Sequence, residues 1–235
     1  QQGDTLVRAG LRQGVPLPYG CGAAVCSTCV ARARPGTVES AWAEAPGAQI
    51  LKRDKGECLL CQSLVTDDCE ILVPGKIDLE QTLADTPAHC RARLHDVAVV
   101  APDVATFQLS LQGQADYIAG QYFLVRLEGM QGYRPYSMTD FQREAQTLNF
   151  VIKRIPNGRF SDEIFGNSVS EAKVDIFGPM GLATFDPSDP KESRDLVCLA
   201  GGSGIAGIMS VLDRAVSVNH FESHRLFMVF GVRRR

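Results

Sequence analysis

The 235 residues hold no apolar run near the ~20 that a membrane-spanning helix needs, and no signal peptide is visible at the start. Charge of one sign is scarce as well. Lys and Arg number 24 against 27 Asp and Glu, a net charge of −3, and no basic face interleaved with aromatics offers itself to nucleic acid. Arg233-Arg234-Arg235 is too short a basic run to alter that. Neither a P-loop nor a nucleophile elbow is present. His220 and His224 stand four apart, but Phe221-Glu222-Ser223 between them breaks the H-E-x-x-H order of a zinc protease. With no carboxylate placed beside them they read as surface or core histidines, and hydrolysis has no support.

What is present is cysteine. The chain has 45% apolar and 22% charged residues, ordinary for a globular protein, and is long enough for two domains and part of a third. Its eight cysteines cluster toward the N-terminus. Without a secretory signal this favours metal or redox chemistry in a reducing compartment, with the cytoplasm as default. Cys21-x4-Cys26-x2-Cys29 with a distant Cys61 is the spacing of a [2Fe–2S] site: three thiolates come from one loop and the fourth from elsewhere. Gly22, Ala23, Ala24, Ser27 and Thr28 are small enough for backbone amides to approach cluster sulfurs. Cys58 competes with Cys61 for the fourth position. Cys58, Cys69, Cys90 and Cys198 otherwise read as small buried hydrophobes. The pairs Cys26-x2-Cys29 and Cys58-x2-Cys61 leave a second reading open, a non-catalytic zinc-binding module.

In chain order, Asp4 is the expected cap of a helix from Thr5 to about Gln13. Strands are expected over 29–34, within 36–42 and over 69–73, with a helical stretch over 48–55. Residues 78–90 lack periodicity and suit a linker. Short β-rich runs at 91–100, 104–111, 121–128, 147–154 and 173–177 suggest a barrel. Asp186 to Arg194 reads as exposed connection, and Leu196–Ala200 as a buried parallel strand. The glycine turn Gly201-Gly202-Ser203-Gly204 follows it, then a helix from Ile205 to about Val216. That order presents amides and a helix dipole to a dinucleotide phosphate. Arg225–Gly231 is the next expected strand.

Two tetrapeptides lie within the barrel region, Arg134-Pro135-Tyr136-Ser137 and Gly158-Arg159-Phe160-Ser161. An arginine offers a planar fork to a pyrophosphate, and a glycine at a helix start exposes amides to the same anion. In this order the two resemble the flavin-binding signature of the ferredoxin-NADP reductase family. Gly178-Pro179-Met180-Gly181 resembles that family's turn at the end of the flavin barrel. Gly201-Gly202-Ser203-Gly204-Ile205-Ala206-Gly207 resembles its Gly-Gly-x-Gly-x-Ala-Pro motif, with Gly207 where proline is usual. Phe230-Gly231-Val232-Arg233 resembles its aromatic-Gly-x-Arg segment. Residues 1–77 resemble a plant-type ferredoxin domain, and Leu59-Leu60-Cys61-Gln62-Ser63 is similar to the segment carrying its last ligand, which favours Cys61 over Cys58.

The order cluster, flavin, nicotinamide resembles the NADH-dependent reductase components of bacterial multicomponent oxygenases. The resemblance implies a multidomain α+β and β fold. A β-grasp ferredoxin domain spans 1–77, a six-stranded antiparallel FAD-binding β-barrel 91–190, and a partial α/β nucleotide-binding domain 195–235. It implies Cys21, Cys26, Cys29 and Cys61 as cluster ligands, Arg134 on the FAD pyrophosphate, Tyr136 against the isoalloxazine and Ser137 near N5. Val151, Ile152 and Lys153 would lie beside the ribityl and ring. Gly158, Phe160 and Ser161 would complete the phosphate cradle, and Gly201, Gly202, Ser203 and Gly204 would meet the nicotinamide cofactor. Electrons from NADH, or from NADPH if Arg233, Arg234 and Arg235 receive a 2′-phosphate, would pass through FAD and the cluster to an oxygenase component or intermediate ferredoxin. The flavin subunit of a sodium-pumping NADH:quinone reductase shares the domain order and is the alternative. Measured against the family, the opening hairpin and most of the nicotinamide domain are missing, so the chain is expected to be a fragment without full activity.

Overall fold

The computed structural model describes residues 3–34, 37–77, 86–166, 171–189 and 193–232. Two compact units emerge, residues 1–88 with 132–135, and residues 89–131 with 136–235. Of the expected linker, 78–85 lies outside the described residues, while His89 and Cys90 already belong to a strand. The arginines 233–235 also lie outside them.

The first unit opens with helix α1, Leu6–Arg12, which buries Val7, Arg8 and Leu11. Asp4 is not its cap. Thr5 holds that position without a side-chain bond, and Asp4 instead reaches Arg8 and Arg12, each at 3.4 Å. The two arginines stand four apart on one helix face, and one carboxylate serves both. Strands β1 (Val30–Ala33), β2 (Val38–Ser40), β3 (Glu57–Leu59), β4 (Ser63–Val65) and β5 (Ile71–Leu72) follow. They form a sheet in the order β3-β1-β5 and a separate β2-β4 pair, antiparallel throughout. β3 and β4 escape sequence reading because three residues are too few to establish alternation.

The helical stretch expected over 48–55 is two 3₁₀ turns, Pro46–Ala48 and Arg53–Lys55. Gly56 ends the second with φ +74°, and a Cβ there would lie 2.6 Å from the Ala33 carbonyl oxygen. The left-handed backbone and the steric conflict together should make Gly56→Ala cost about 2–4 kcal/mol. The expected result is a lower midpoint for thermal bleaching of the loaded protein; an unchanged midpoint would contradict this packing.

Strands β6 (Ala88–Ala101), β7 (Val104–Ala115), β8 (Tyr122–Leu127), β9 (Arg134–Ser137) and β10 (Ala145–Lys153) follow, all in the second unit except Ala88 and Arg134–Pro135, which cluster with the first. Helix α2 (Arg159–Phe165) and β11 (Lys173–Met180) complete the set. The six strands lie in the order β10-β7-β6-β11-β8-β9. Met138, just past β9, bridges to Phe150 of β10, so the two edges meet and the antiparallel sheet closes on itself. Closure removes free edges, and inward residues of every strand fill one core. Leu94, Phe107, Leu109, Val125, Leu148, Phe150 and Ile176 are all within 1% of full burial there. β9 is missed as a strand from sequence because proline interrupts its four residues.

Strand β12 (Leu196–Gly201), helix α3 (Ile205–Ser217) and strand β13 (Leu226–Gly231) close the described chain. β12 and β13 pair in parallel from Leu196↔Leu226 to Gly201↔Gly231, and α3 is their crossover. The strand–turn–helix order expected from the apolar run and glycines forms, but β12 is not the buried strand expected: Val197 and Leu199 are each 70% exposed, and Cys198 alone of its residues is buried.

Candidate functional site

Loop 19–29 is curled by three left-handed residues, Gly22 (φ 64°), Ala24 (φ 63°) and Ser27 (φ 58°). That curl turns amides toward sulfur. Ala23 N–H and Val25 N–H each donate to Cys21 Sγ at 3.4 Å, while Cys21 N–H and the Thr28 hydroxyl donate to Cys26 Sγ at 3.2 Å. A Cβ on Gly20 would sit 2.9 Å from Cys26 Sγ, so the tight wrap depends on that glycine. Gly47 N–H holds the loop from behind through the Ala24 carbonyl at 2.8 Å.

The fourth thiol arrives through the sheet. Val30 pairs with Leu59, and Leu60 N–H donates to the Cys29 carbonyl at 3.0 Å. Two residues on, Cys61 Sγ lies 3.2 Å from Cys29 Sγ. Cys58 lies elsewhere, in β3 opposite Ala31, and burial pushes its thiol up. The structure therefore brings Cys61 rather than Cys58 to the loop.

Burial raises the Cys26 pKa, but the Thr28 hydroxyl and the amides of Thr28 and Cys21 outweigh it and bring the thiol down to about 7. Cys61 also falls to about 7, chiefly through its bond to Cys29, while Cys29 is pushed up by the same bond and by burial. Cys21 and Cys26 form the other pair. Among the described residues no three Cys, His, Asp or Glu side chains gather about a single ion position. Four thiols with backbone amides donating to their sulfurs fit the donor set of a [2Fe–2S] cluster, which Cys21, Cys26, Cys29 and Cys61 would hold.

In the second unit the Tyr136 ring stands among Phe160 (5.1 Å between centroids), Phe107 (6.1 Å) and Phe150 (6.5 Å). Phe107 and Phe150 are themselves stacked at 5.0 Å. The tyrosine is half-buried, so its ring has a rigid aromatic backing and an open side. Ser137 meets α3: a Cβ on Gly207 would lie 3.3 Å from Ser137 Oγ. The glycine where the family carries proline is thus a point of close approach between helix and strand.

A cavity of about 1030 Å³ opens in the same unit, lined by Val151, Lys153, Asn157, Gly202, Ser203 and Phe230 among others. Two ion pairs border it, Lys153–Asp103 at 3.2 Å and Arg154–Asp162 at 3.0 Å. The turn Gly202–Gly204 is 3₁₀, with Gly202 left-handed at φ +53°, and it leads directly into α3. Anionic groups at that end of a thirteen-residue helix meet its amides and the positive end of its dipole.

Not every expected residue faces this cavity. Val151 and Lys153 line it, but Ile152 between them is 2% exposed and belongs to the barrel core, because alternate strand residues point to opposite faces. Phe160 is likewise a core ring, leaving only its backbone for an anion. Ser161 Oγ accepts from Ile155 N–H and lies 3.0 Å from the Gly158 carbonyl, so it locks the turn before α2. Gly158 occupies the cap position of that helix. Asp103, Arg154, Asn157 and Asp162 were not anticipated. No local spacing marks them, since Asp103 comes from the β6–β7 turn and the others from beyond β10. His220 and His224 stack on each other at 4.4 Å, with His220 Nε2 against the Arg194 carbonyl, as structural residues do.

Comparison with known proteins agrees with this layout. Residues 1–66 match the 2Fe-2S iron-sulfur cluster binding domain, and residues 91–185 the oxidoreductase FAD-binding domain. A ferredoxin–NAD(P)(+) reductase of Metapseudomonas resinovorans, CarAd, is 32% identical over 87% of this chain and 61% of its own length. The ferredoxin–NAD(+) reductase component of the alkene monooxygenase system of Xanthobacter autotrophicus is 31% identical over 91% and 64%. The chain thus spans under two thirds of the length of these relatives. Among solved structures, the ferredoxin reductase in carbazole 1,9a-dioxygenase superposes with a TM-score of 0.86 at 28% identity, covering 98% of this chain and 68% of its own. The Amycolatopsis cytochrome P450 reductase GcoB gives 0.80 at 26%, covering 100% and 69%. The chain thus carries matches to a 2Fe-2S cluster binding domain and an oxidoreductase FAD-binding domain, in that order, and is similar over most of its length to the ferredoxin reductase components of oxygenase systems.

Proposed function

We propose that this protein passes electrons from NAD(P)H through FAD to a [2Fe–2S] cluster and on to the oxygenase component, or an intermediate ferredoxin, of a multicomponent oxygenase system. The observation that carries the reading is one chain holding three thiols in an amide-lined loop, with a fourth brought beside Cys29 by the sheet, together with the barrel strand Arg134–Ser137. The relatives, one of them the reductase component of an alkene monooxygenase system, support the oxygenase system as destination. FAD, when bound, takes two electrons as hydride and releases them singly, and the cluster carries one at a time.

The chain's own residues do the rest. Arg134 would supply a planar fork to the pyrophosphate, and the Tyr136 ring, backed by three phenylalanines, would lie against the isoalloxazine. Ser137 would offer its hydroxyl to the flavin near N5. The Gly201–Gly204 turn and the start of α3 meet the nicotinamide cofactor's phosphates. Cys26, the exposed member of the four thiols, marks the side from which electrons leave. NADH is the coenzyme of this reading, and eight free cysteines suit a reducing cytoplasm. Among the described residues no helix is long and apolar enough to cross a membrane.

A visible spectrum of the purified protein with iron, zinc and flavin analysis tests the reading. A flavin band over a brown iron–sulfur background is expected. Colourless protein containing zinc would overturn it. Rates with the two coenzymes decide the donor, and faster reduction by NADPH would reverse that choice.

A further inference from the structure

Arg8 is a buried charge, 9% exposed, on a helix of two turns, and arginine is seldom placed so without a partner that repays its desolvation. Its Nε reaches Asp4 at 3.4 Å and one terminal nitrogen donates to the Gly3 carbonyl at 3.1 Å. Those contacts pin the guanidinium. What they pin it against is the face of the Tyr133 ring, 4.8 Å from its centroid. Tyr133 is itself 7% exposed, so the cation and the ring meet away from water, where such contacts are strongest.

Tyr133 immediately precedes Arg134, and Arg134 Nη1 donates back to the Tyr133 carbonyl at 3.0 Å. Gly132 is left-handed at φ +73°, and a Cβ there would lie 3.1 Å from that same nitrogen. Gly132–Pro135 belongs to the compact unit that contains α1. A continuous set of contacts therefore runs, within that one unit, from α1 to Arg134.

We infer that Arg8 is a positioning residue for flavin binding: its cation over the Tyr133 ring fixes the backbone that aims the Arg134 fork. The inference rests on the reading of Arg134 as the pyrophosphate residue. It assigns a role in flavin binding to Arg8, a side chain that lies in neither motif.

Flavin-depleted full-length protein titrated with FAD tests it. Arg8→Met and Tyr133→Leu should each weaken FAD by about three- to tenfold, the range of a desolvated cation–π contact passed on in part. The double variant should be no weaker than either single one, because both remove the same contact. Arg8→Lys and Tyr133→Phe, which keep a cation and a ring face, should bind nearly as the parent does. Cluster absorbance and circular dichroism report folding of the first unit. If Arg8→Met fails to fold, the contrast between Tyr133→Leu and Tyr133→Phe carries the test. Parental affinity in Tyr133→Leu, additive losses in the double variant, or equal losses in Tyr133→Phe and Tyr133→Leu would each overturn the inference. A parent protein that takes up no FAD would instead sink the flavin reading, and the inference with it.

Discussion

Cys61→Ser should abolish the brown cluster absorbance and the electron paramagnetic resonance signal of the reduced protein, while Cys58→Ser leaves both. Only Cys61 is delivered to within 3.2 Å of Cys29 Sγ, by the Val30↔Leu59 register and the Leu60–Cys29 backbone bond. Cys58 is committed to the sheet, opposite Ala31. A serine at 61 would leave one iron short of the soft thiolate that such clusters take. Reduction of a cluster-dependent protein acceptor should be lost with it, and direct reduction of ferricyanide from the flavin should persist. A Cys61→Ser protein with the signal intact, or a Cys58→Ser protein without it, would overturn the ligand set.

Arg134→Ala should weaken FAD binding by roughly 10- to 100-fold, since a charge-assisted hydrogen bond to phosphate contributes about 1.5–3 kcal/mol and each 1.4 kcal/mol is tenfold. Arg134→Lys should recover only part of this, because an ammonium supplies a point charge and not a planar fork. The barrel itself should stand: β9 is held by its neighbours in the sheet, and Arg134 is outside the core that Phe107, Phe150 and Ile176 fill. Flavin fluorescence titration measures the affinity, and thermal unfolding checks the fold. Unchanged FAD affinity would remove Arg134 from the site. The two variants also separate the cofactors, one losing the cluster and keeping flavin, the other the reverse.

The long strands of the barrel were legible because their alternation extends over nine or more residues, and α3 because glycine punctuates its start and an apolar strand precedes it. β3, β4 and β9 were not legible. They are three or four residues long, and what makes them strands is a partner distant in sequence, as Leu59 finds in Val30. Asp4 looked like a helix cap on local grounds, yet two arginines on the same helix face outcompete the backbone for its carboxylate. The family pattern groups Val151, Ile152 and Lys153, whereas strand geometry divides them between cavity and core.

The opening cysteine loop shows where the division falls. Chemistry that depends on residue type and short spacing, three thiols within nine residues among small neighbours, was determined by the sequence, because a single loop can satisfy it alone. The choice of Cys61 over Cys58 on geometric grounds, the cavity bordered by Asp103 and Asp162, and the contact from Arg8 through Tyr133 to Arg134 were decided by tertiary structure. Each depends on which strand pairs with which and in what register, and a shift of one residue would turn every side chain concerned to the other face.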